Sequence, residues 1–142
     1  MTVAGCTLCA TDGGLLVFKN DQLRVIQARE EGFPAFYRVV WNAHVAEFSD
    51  LAHAEHNACM NAVVTVEKTL REQLQPTKIN LAALGNAVPH LHWHVIARFD
   101  WDSHFPGSVW AASQRKTDAQ KLSQLASQCT QVNRLLAETL AS

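Results

Sequence analysis

The sequence predicts an α+β fold, an antiparallel sheet of about five strands with one long central helix and a C-terminal helix. Three observations predict it. Short apolar runs joined by polar turns crowd the N-terminal part of the chain. Two long segments repeat apolar residues at three- and four-residue steps, as amphipathic helices do. Between those segments, His90-Leu91-His92-Trp93-His94-Val95-Ile96 alternates imidazoles with bulky apolar residues, the pattern of a half-buried strand. Strands grouped with short connections, together with two long helices, favour a sheet with helices packed against it.

Taken in order, the chain opens on Cys6-Thr7-Leu8-Cys9 and the loop Thr11-Asp12-Gly13-Gly14. Leu15 to Lys19 and Leu23 to Gln27, joined by Asn20-Asp21-Gln22, read as a hairpin. Ala35 to Trp41 follows Gly32-Phe33-Pro34 as a third strand. Ser49 reads as an N-cap, with Asp50 suiting the helix dipole, so a helix is expected from Asp50 to about Leu74. Its buried stripe is Leu51, Ala58, Cys59, Ala62, Val63, Val66, Leu70 and Leu74, and Pro76 ends it. Ile79 to Leu84 is a fourth strand.

The histidine strand comes next, with Pro89 at its start, where a missing N–H costs least. His90, His92 and His94 are expected to share one face with Ile96 and Arg98, while Leu91, Trp93 and Val95 face the core. Asp100 to Lys116 has no sustained period and reads as a loop. Thr117-Asp118-Ala119-Gln120 has the form of a capping box opening a helix that runs to about Leu140. Leu122, Leu125, Ala126, Cys129, Val132, Leu136 and Leu140 mark its buried side.

At 142 residues the chain is sized for a single domain over 1–142. Twelve Lys and Arg against thirteen Asp and Glu give a net charge of −1, so no global field would hold a nucleic acid or an anionic membrane. Phosphate must be bound locally. With no apolar run of ~18 residues and no basic-then-apolar leader, the expected location is the cytoplasm. There four cysteines are thiols or metal ligands rather than disulfides. Cys59 and Cys129 fit helical apolar positions, which leaves Cys6 and Cys9 as the chemically interesting pair.

His90 to Ile96 matches the full His-φ-His-φ-His-φ-φ signature, and in this the chain resembles the histidine triad superfamily of nucleotidyl hydrolases and transferases. Gly85-Asn86-Ala87-Val88-Pro89 looks like that family's Gly-Gln-x-Val-x lead-in, with Asn for Gln. The resemblance implies attack of the middle histidine, His92, on an α-phosphate through a covalent nucleotidyl-histidine, with His94 contacting the phosphate and assisting the leaving group. A neutral imidazole, of ordinary pKa about 6.5, is a competent nucleophile near neutral pH. No cofactor is required for that chemistry. The implied substrates are dinucleoside polyphosphates or nucleotide conjugates, and the implied assembly is a homodimer. A binding protein of the same fold with little turnover, and a metal-dependent phosphoesterase using the three histidines as ligands, are the alternatives.

Phosphate donors are sought around the triad. Asn80, near the place of a family Asn or Gln that bonds phosphate, and Asn86 are candidates; either also reads as a turn or strand-end residue. Arg98 reads as a positive charge on the histidine face or as a solvated strand-end arginine. Trp110, with Trp101 and Phe105, reads as cover for the sheet end or as a lid that stacks on a base. Some family members hold a structural zinc, and the matching positions here are Cys6, Cys9, His44 and His90. Such a closed Cys2His2 site would pin the N-terminus rather than activate water. One departure stands out. The family's acidic residue for the ribose hydroxyls falls here near Ala28, which leaves Asp21, Arg29 or Glu30 as stand-ins.

Overall fold

The computed structural model describes residues 2–142. Within them lie a short helix α1 (Thr7–Ala10), strands β1 (Leu15–Lys19), β2 (Leu23–Gln27) and β3 (Phe36–Trp41), helix α2 (His53–Leu74), strands β4 (Lys78–Ala82) and β5 (His92–Arg98), and helix α3 (Ala119–Ala141). The fold is α+β. The sheet has five strands in the order β1-β2-β3-β5-β4, and every neighbouring pair is antiparallel.

The β1–β2 hairpin closes because the Asn20 side chain accepts from the backbone N–H groups of Gln22 and Leu23, both at 2.9 Å. Period-two patterning then divides the sheet into two faces. Leu23 and Val25, Tyr37, Val39 and Trp41, and Val95 and Ala97 pack with Cys59, Ala62, Val63, Val66 and Leu70 of α2 and Leu125, Cys129, Val132 and Leu136 of α3. The opposite face carries no long helix, and there Arg38 lies in register with His94, Val40 with His92 and Phe36 with Ile96.

Two helix starts differ from expectation. Phe48–Asp50 forms a separate 3-10 turn in which Asp50 accepts from Glu47 N–H at 3.0 Å. That consumes the Ser49 region, and α2 begins three residues later than expected, at His53. Its first turn is served by Glu55, which reaches back to Ala52 N–H at 2.8 Å. At α3 the cap is Asp118 rather than Thr117: its carboxylate accepts from the N–H groups of Gln120 and Lys121. Ala126 is exposed and Ala58 half-buried, whereas Thr69, absent from the expected stripe, is buried by bonding back to Thr65 O. β4 ends at Ala82, two residues short of expectation. Among the described residues no helix is long and apolar enough to cross a membrane.

Candidate functional site

The site is built on the face of β5 that, among the described residues, carries no long helix, and on the turn that leads into it. β5 starts at His92, not at His90. The turn holds His90 N–H on Val88 O at 2.8 Å, so Pro89 sits in a bend rather than at a strand start. His90 is therefore not a third tooth of the same strand. Its ring is 1% exposed and lies under the N-terminal segment, where α1 packs Leu8 over Ile26 and Val40. His92 and His94 remain neighbours, with ring centroids 4.9 Å apart and planes at 84°.

Hydrogen bonds assign the tautomers, because a carbonyl only accepts and a guanidinium only donates. His90 donates from Nε2 to Trp41 O at 2.6 Å, which leaves Nδ1 with its lone pair. His92 donates from Nδ1 to His90 O, also at 2.6 Å, which leaves Nε2 as the nucleophilic nitrogen. His94 accepts at Nδ1 from Arg38 Nε at 3.3 Å, which places its proton on Nε2. Burial lowers the pKa of all three histidines; for His94, with neighbouring His92 and Arg38 adding to burial, it falls to about 3. Neutral imidazoles are thus the resting state of the row.

His90 Nδ1 looks onto both thiols of the C-x-x-C, at 3.4 Å from Cys6 Sγ and 3.5 Å from Cys9 Sγ. His44 Nδ1, from the β3–α2 connection, lies 3.5 Å from Cys9 Sγ. The four ligand atoms fall within 4.8 Å of one another. A zinc ion about 2.3 Å from sulfur and about 2.0–2.1 Å from nitrogen would hold tetrahedral ligands roughly 3.3–3.8 Å apart, so these groups could bind a structural metal with little movement. The chemistry of the set agrees: His90 uses its second nitrogen on Trp41 O, the outer bond that orients a metal-binding imidazole. Arg24 steadies this end of the sheet by donating to the carbonyls of Leu8 (2.6 Å), Thr11 (3.0 Å) and Asp12 (3.0 Å).

The remaining candidates separate. Arg98 is on the histidine side but is neither solvated nor free. It is buried, bonds Asp102 through Nε (2.8 Å) and a terminal nitrogen (3.1 Å), and donates to Asn80 Oδ1 and Gly107 O at 2.8 Å each. Its charge is satisfied by the fold. Asn80 is half-buried with its oxygen engaged by Arg98, and Asn86 is exposed in the loop before the triad. Trp110, 52% exposed, stands edge-on to His94 at 5.0 Å. Its expected companions do not join it: Trp101 stacks on Phe99 and meets Lys121 of α3, and Phe105 faces Arg98. Ala28 is buried in an apolar cluster with Phe36, Ile96, Phe33 and Val109 and offers no carboxylate to ribose hydroxyls.

Two residues that shape the site were not singled out in the sequence, Arg38 and Asp102. An arginine inside the apolar run Phe36-Tyr37-Arg38-Val39-Val40 was the available signal, since period two assigns it to the face of Phe36 and Val40. Asp102 gave none.

A sequence profile of the HIT domain matches residues 13–101, well over half of the chain. Among solved structures, the chain is similar to a histidine triad protein of Bradyrhizobium japonicum, at 27% identity and a TM-score of 0.68, over 84% of this chain and 90% of that one. A histidine triad protein of Marinobacter aquaeolei is similar at 21% identity and TM-score 0.70, covering 92% and 96%. A HIT family protein of Bacillus anthracis gives 20% identity and TM-score 0.65, covering 92% and 98%. The latter two bear on the fold alone. Comparison with curated protein sequences gave no match.

Proposed function

The chain belongs to the HIT-domain family, and from that premise we propose that it is a nucleotide hydrolase or transferase acting at the α-phosphate of dinucleoside polyphosphates or nucleotide conjugates. The observation that carries this reading is the His92 hydrogen bond. With Nδ1–H spent on His90 O, the Nε2 lone pair is unprotonated and the ring is fixed by a backbone atom. Nε2 attacks phosphorus, a bond to the leaving group breaks, and a nucleotidyl-His92 forms; water then attacks phosphorus and the N–P electron pair returns to Nε2. His94, with its proton on Nε2, supplies a donor beside the reacting phosphate.

Asn80, Asn86 and Trp110 are proposed to contact substrate, Trp110 through its exposed ring beside His94. Arg98 is withdrawn from that group because Asp102 satisfies its charge. Cys6, Cys9, His44 and His90 are proposed to hold zinc, in a cytoplasm that keeps both thiols reduced. That zinc would fix the N-terminal segment and His90; no step of the transfer runs through it. A phosphoesterase using all three histidines as metal ligands loses its support, since His90 turns to the cysteines. Binding without turnover draws support from one observation, the buried Ala28 where the family places its ribose carboxylate.

The test is a rapid quench with a diadenosine polyphosphate and a nucleoside phosphoramidate, with and without chelator. Wild type should show a burst of nucleoside monophosphate and a nucleotidyl adduct on His92. Folded His92→Asn should form no adduct and lose roughly 10³-fold or more in turnover. Folded wild type that binds nucleotide but gives no adduct and no turnover of either substrate would establish the binding reading instead.

A further inference from the structure

Three arginines lie on the histidine side of the sheet, and the fold consumes two of them. Arg24 is spent on the carbonyls of Leu8, Thr11 and Asp12, and Arg98 on Asp102, Asn80 and Gly107. Arg38 is different. It stands on β3 in register with His94, its guanidinium 5.1 Å over the Phe36 ring, and donates from Nε to His94 Nδ1 at 3.3 Å. Its one carboxylate contact among the described residues is the surface Glu30, at 3.4 Å.

The hydrogen bond from Arg38 to His94 fixes the tautomer of the ring. Because a guanidinium cannot accept a hydrogen bond, His94 Nδ1 must be the bare nitrogen and Nε2 the protonated one. Burial and neighbouring His92 oppose the imidazolium form, and the fixed cation against Nδ1 adds to them. The groups around the ring are Arg38 and Phe36 from β3, His92 from β5 and Trp110 from the loop before α3. Among the described residues no carboxylate touches the ring, and the cation's own partner is the exposed Glu30. A neutral Nε2–H can donate a hydrogen bond but is a very weak proton donor.

We propose that Arg38 is a positioning residue that fixes buried His94 as the Nε2–H tautomer and thereby selects substrates whose leaving group departs as a stable oxyanion, phosphoanhydrides over phosphoramidates. The inference rests on the covalent-histidine reading above and narrows its substrate class. In the favoured step, His92 Nε2 forms the N–P bond as the bridging P–O bond breaks, and the electron pair leaves on the oxygen of the departing phosphate. That anion needs only the hydrogen bond from His94. In a phosphoramidate the breaking bond is P–N, and the electron pair can leave on nitrogen only if a proton arrives there. A neutral His94 does not supply it.

The experiment measures kcat/KM for diadenosine tetraphosphate and adenosine 5′-phosphoramidate, which share the adenylyl group, in wild type, Arg38→Leu and Arg38→Lys, alongside ¹⁵N spectra of the His94 ring. Wild type should favour the anhydride by about 100-fold or more, and Arg38→Leu should cut that preference by roughly tenfold or more. Arg38→Lys, which keeps the cation, should retain most of it. The wild-type spectrum should show a bare Nδ1 and a protonated Nε2, with the ring titrating at higher pH in Arg38→Leu. A protonated Nδ1 in wild type overturns the proposal, as does an active wild type whose preference is unmoved in folded Arg38→Leu. If wild type turns over neither substrate, the covalent-histidine reading and the substrate preference fall together, and the ring spectra then decide whether Arg38 sets the tautomer.

Discussion

At the scale of single residues, the site depends on which polar atoms are already engaged. Asp102 illustrates this. It is buried, and its carboxylate accepts from Arg98 Nε and a terminal nitrogen and from the backbone N–H groups of Phe99, His104 and Phe105. Burial alone would raise its pKa, but Arg98 and the backbone donors outweigh burial and hold it below the usual carboxylate value. A carboxylate whose folded pKa is depressed contributes stability that is fully present above its unfolded pKa and is lost as pH falls through the folded one. Asp102→Ala should therefore cost about 3–5 kcal/mol at neutral pH, because Arg98 is left buried without its counter-charge. Chemical denaturation checks this: the gap between wild type and variant should narrow below about pH 4. A loss under about 1 kcal/mol at neutral pH would show that water or Asn80 replaces the carboxylate.

At the scale of elements, much of the architecture was legible in the sequence, for a physical reason. Period two in His92 to Arg98 and period 3.6 in α2 and α3 follow from which side chains are buried, and burial is written along the chain. What stayed illegible depends on pairing at a distance. Nothing local states that β5 lies between β3 and β4, so the meeting of Arg38 with His94 could not be read. Likewise Ser49 has the form of a cap in sequence, but the Glu47–Asp50 turn, a competing local solution, displaces the helix start. The C-x-x-C was visible in sequence; its assembly with His44 and His90 needed both the α1 turn and the bend at Pro89. A metal held there would cross-link α1, only four residues long, to His44 and His90. Protein purified without chelator should carry about one zinc per chain, lost in Cys9→Ser. Chelation should lower Tm by roughly 5 °C or more, since a metal held by four ligands brought together only on folding would favour the folded chain. Less than about 0.2 zinc per chain would remove the staple.

At the scale of the whole molecule, the homodimer that the family resemblance implies is a prediction, and the exposed apolar groups suggest where its contact would lie. The outer strand β4 leaves Leu81 45% exposed, and Leu84 just beyond it is 56% exposed. On α2, Glu67 and Arg71 line a cavity together with Lys78 and Ile79, so the flank of α2 carrying them faces β4. Val64, one turn before Glu67 on that flank, is 47% exposed. Beside Leu84, a cavity of about 240 Å³ is lined by Phe48 and Trp93, and Trp93 Nε1 is buried without a hydrogen-bond partner among the described residues. Joining β4 to a second copy would cover an open sheet edge, the feature that invites pairing between chains. Sedimentation at micromolar concentration should therefore give the mass of two chains, and Leu84→Lys, at an exposed position outside the strand, should weaken association by roughly tenfold or more without unfolding the chain. A single-chain mass for wild type would leave this apolar edge to some other partner. A dimer unaffected by Leu84→Lys would move the contact to the far edge, where Leu15 and Leu16 of β1 are also exposed.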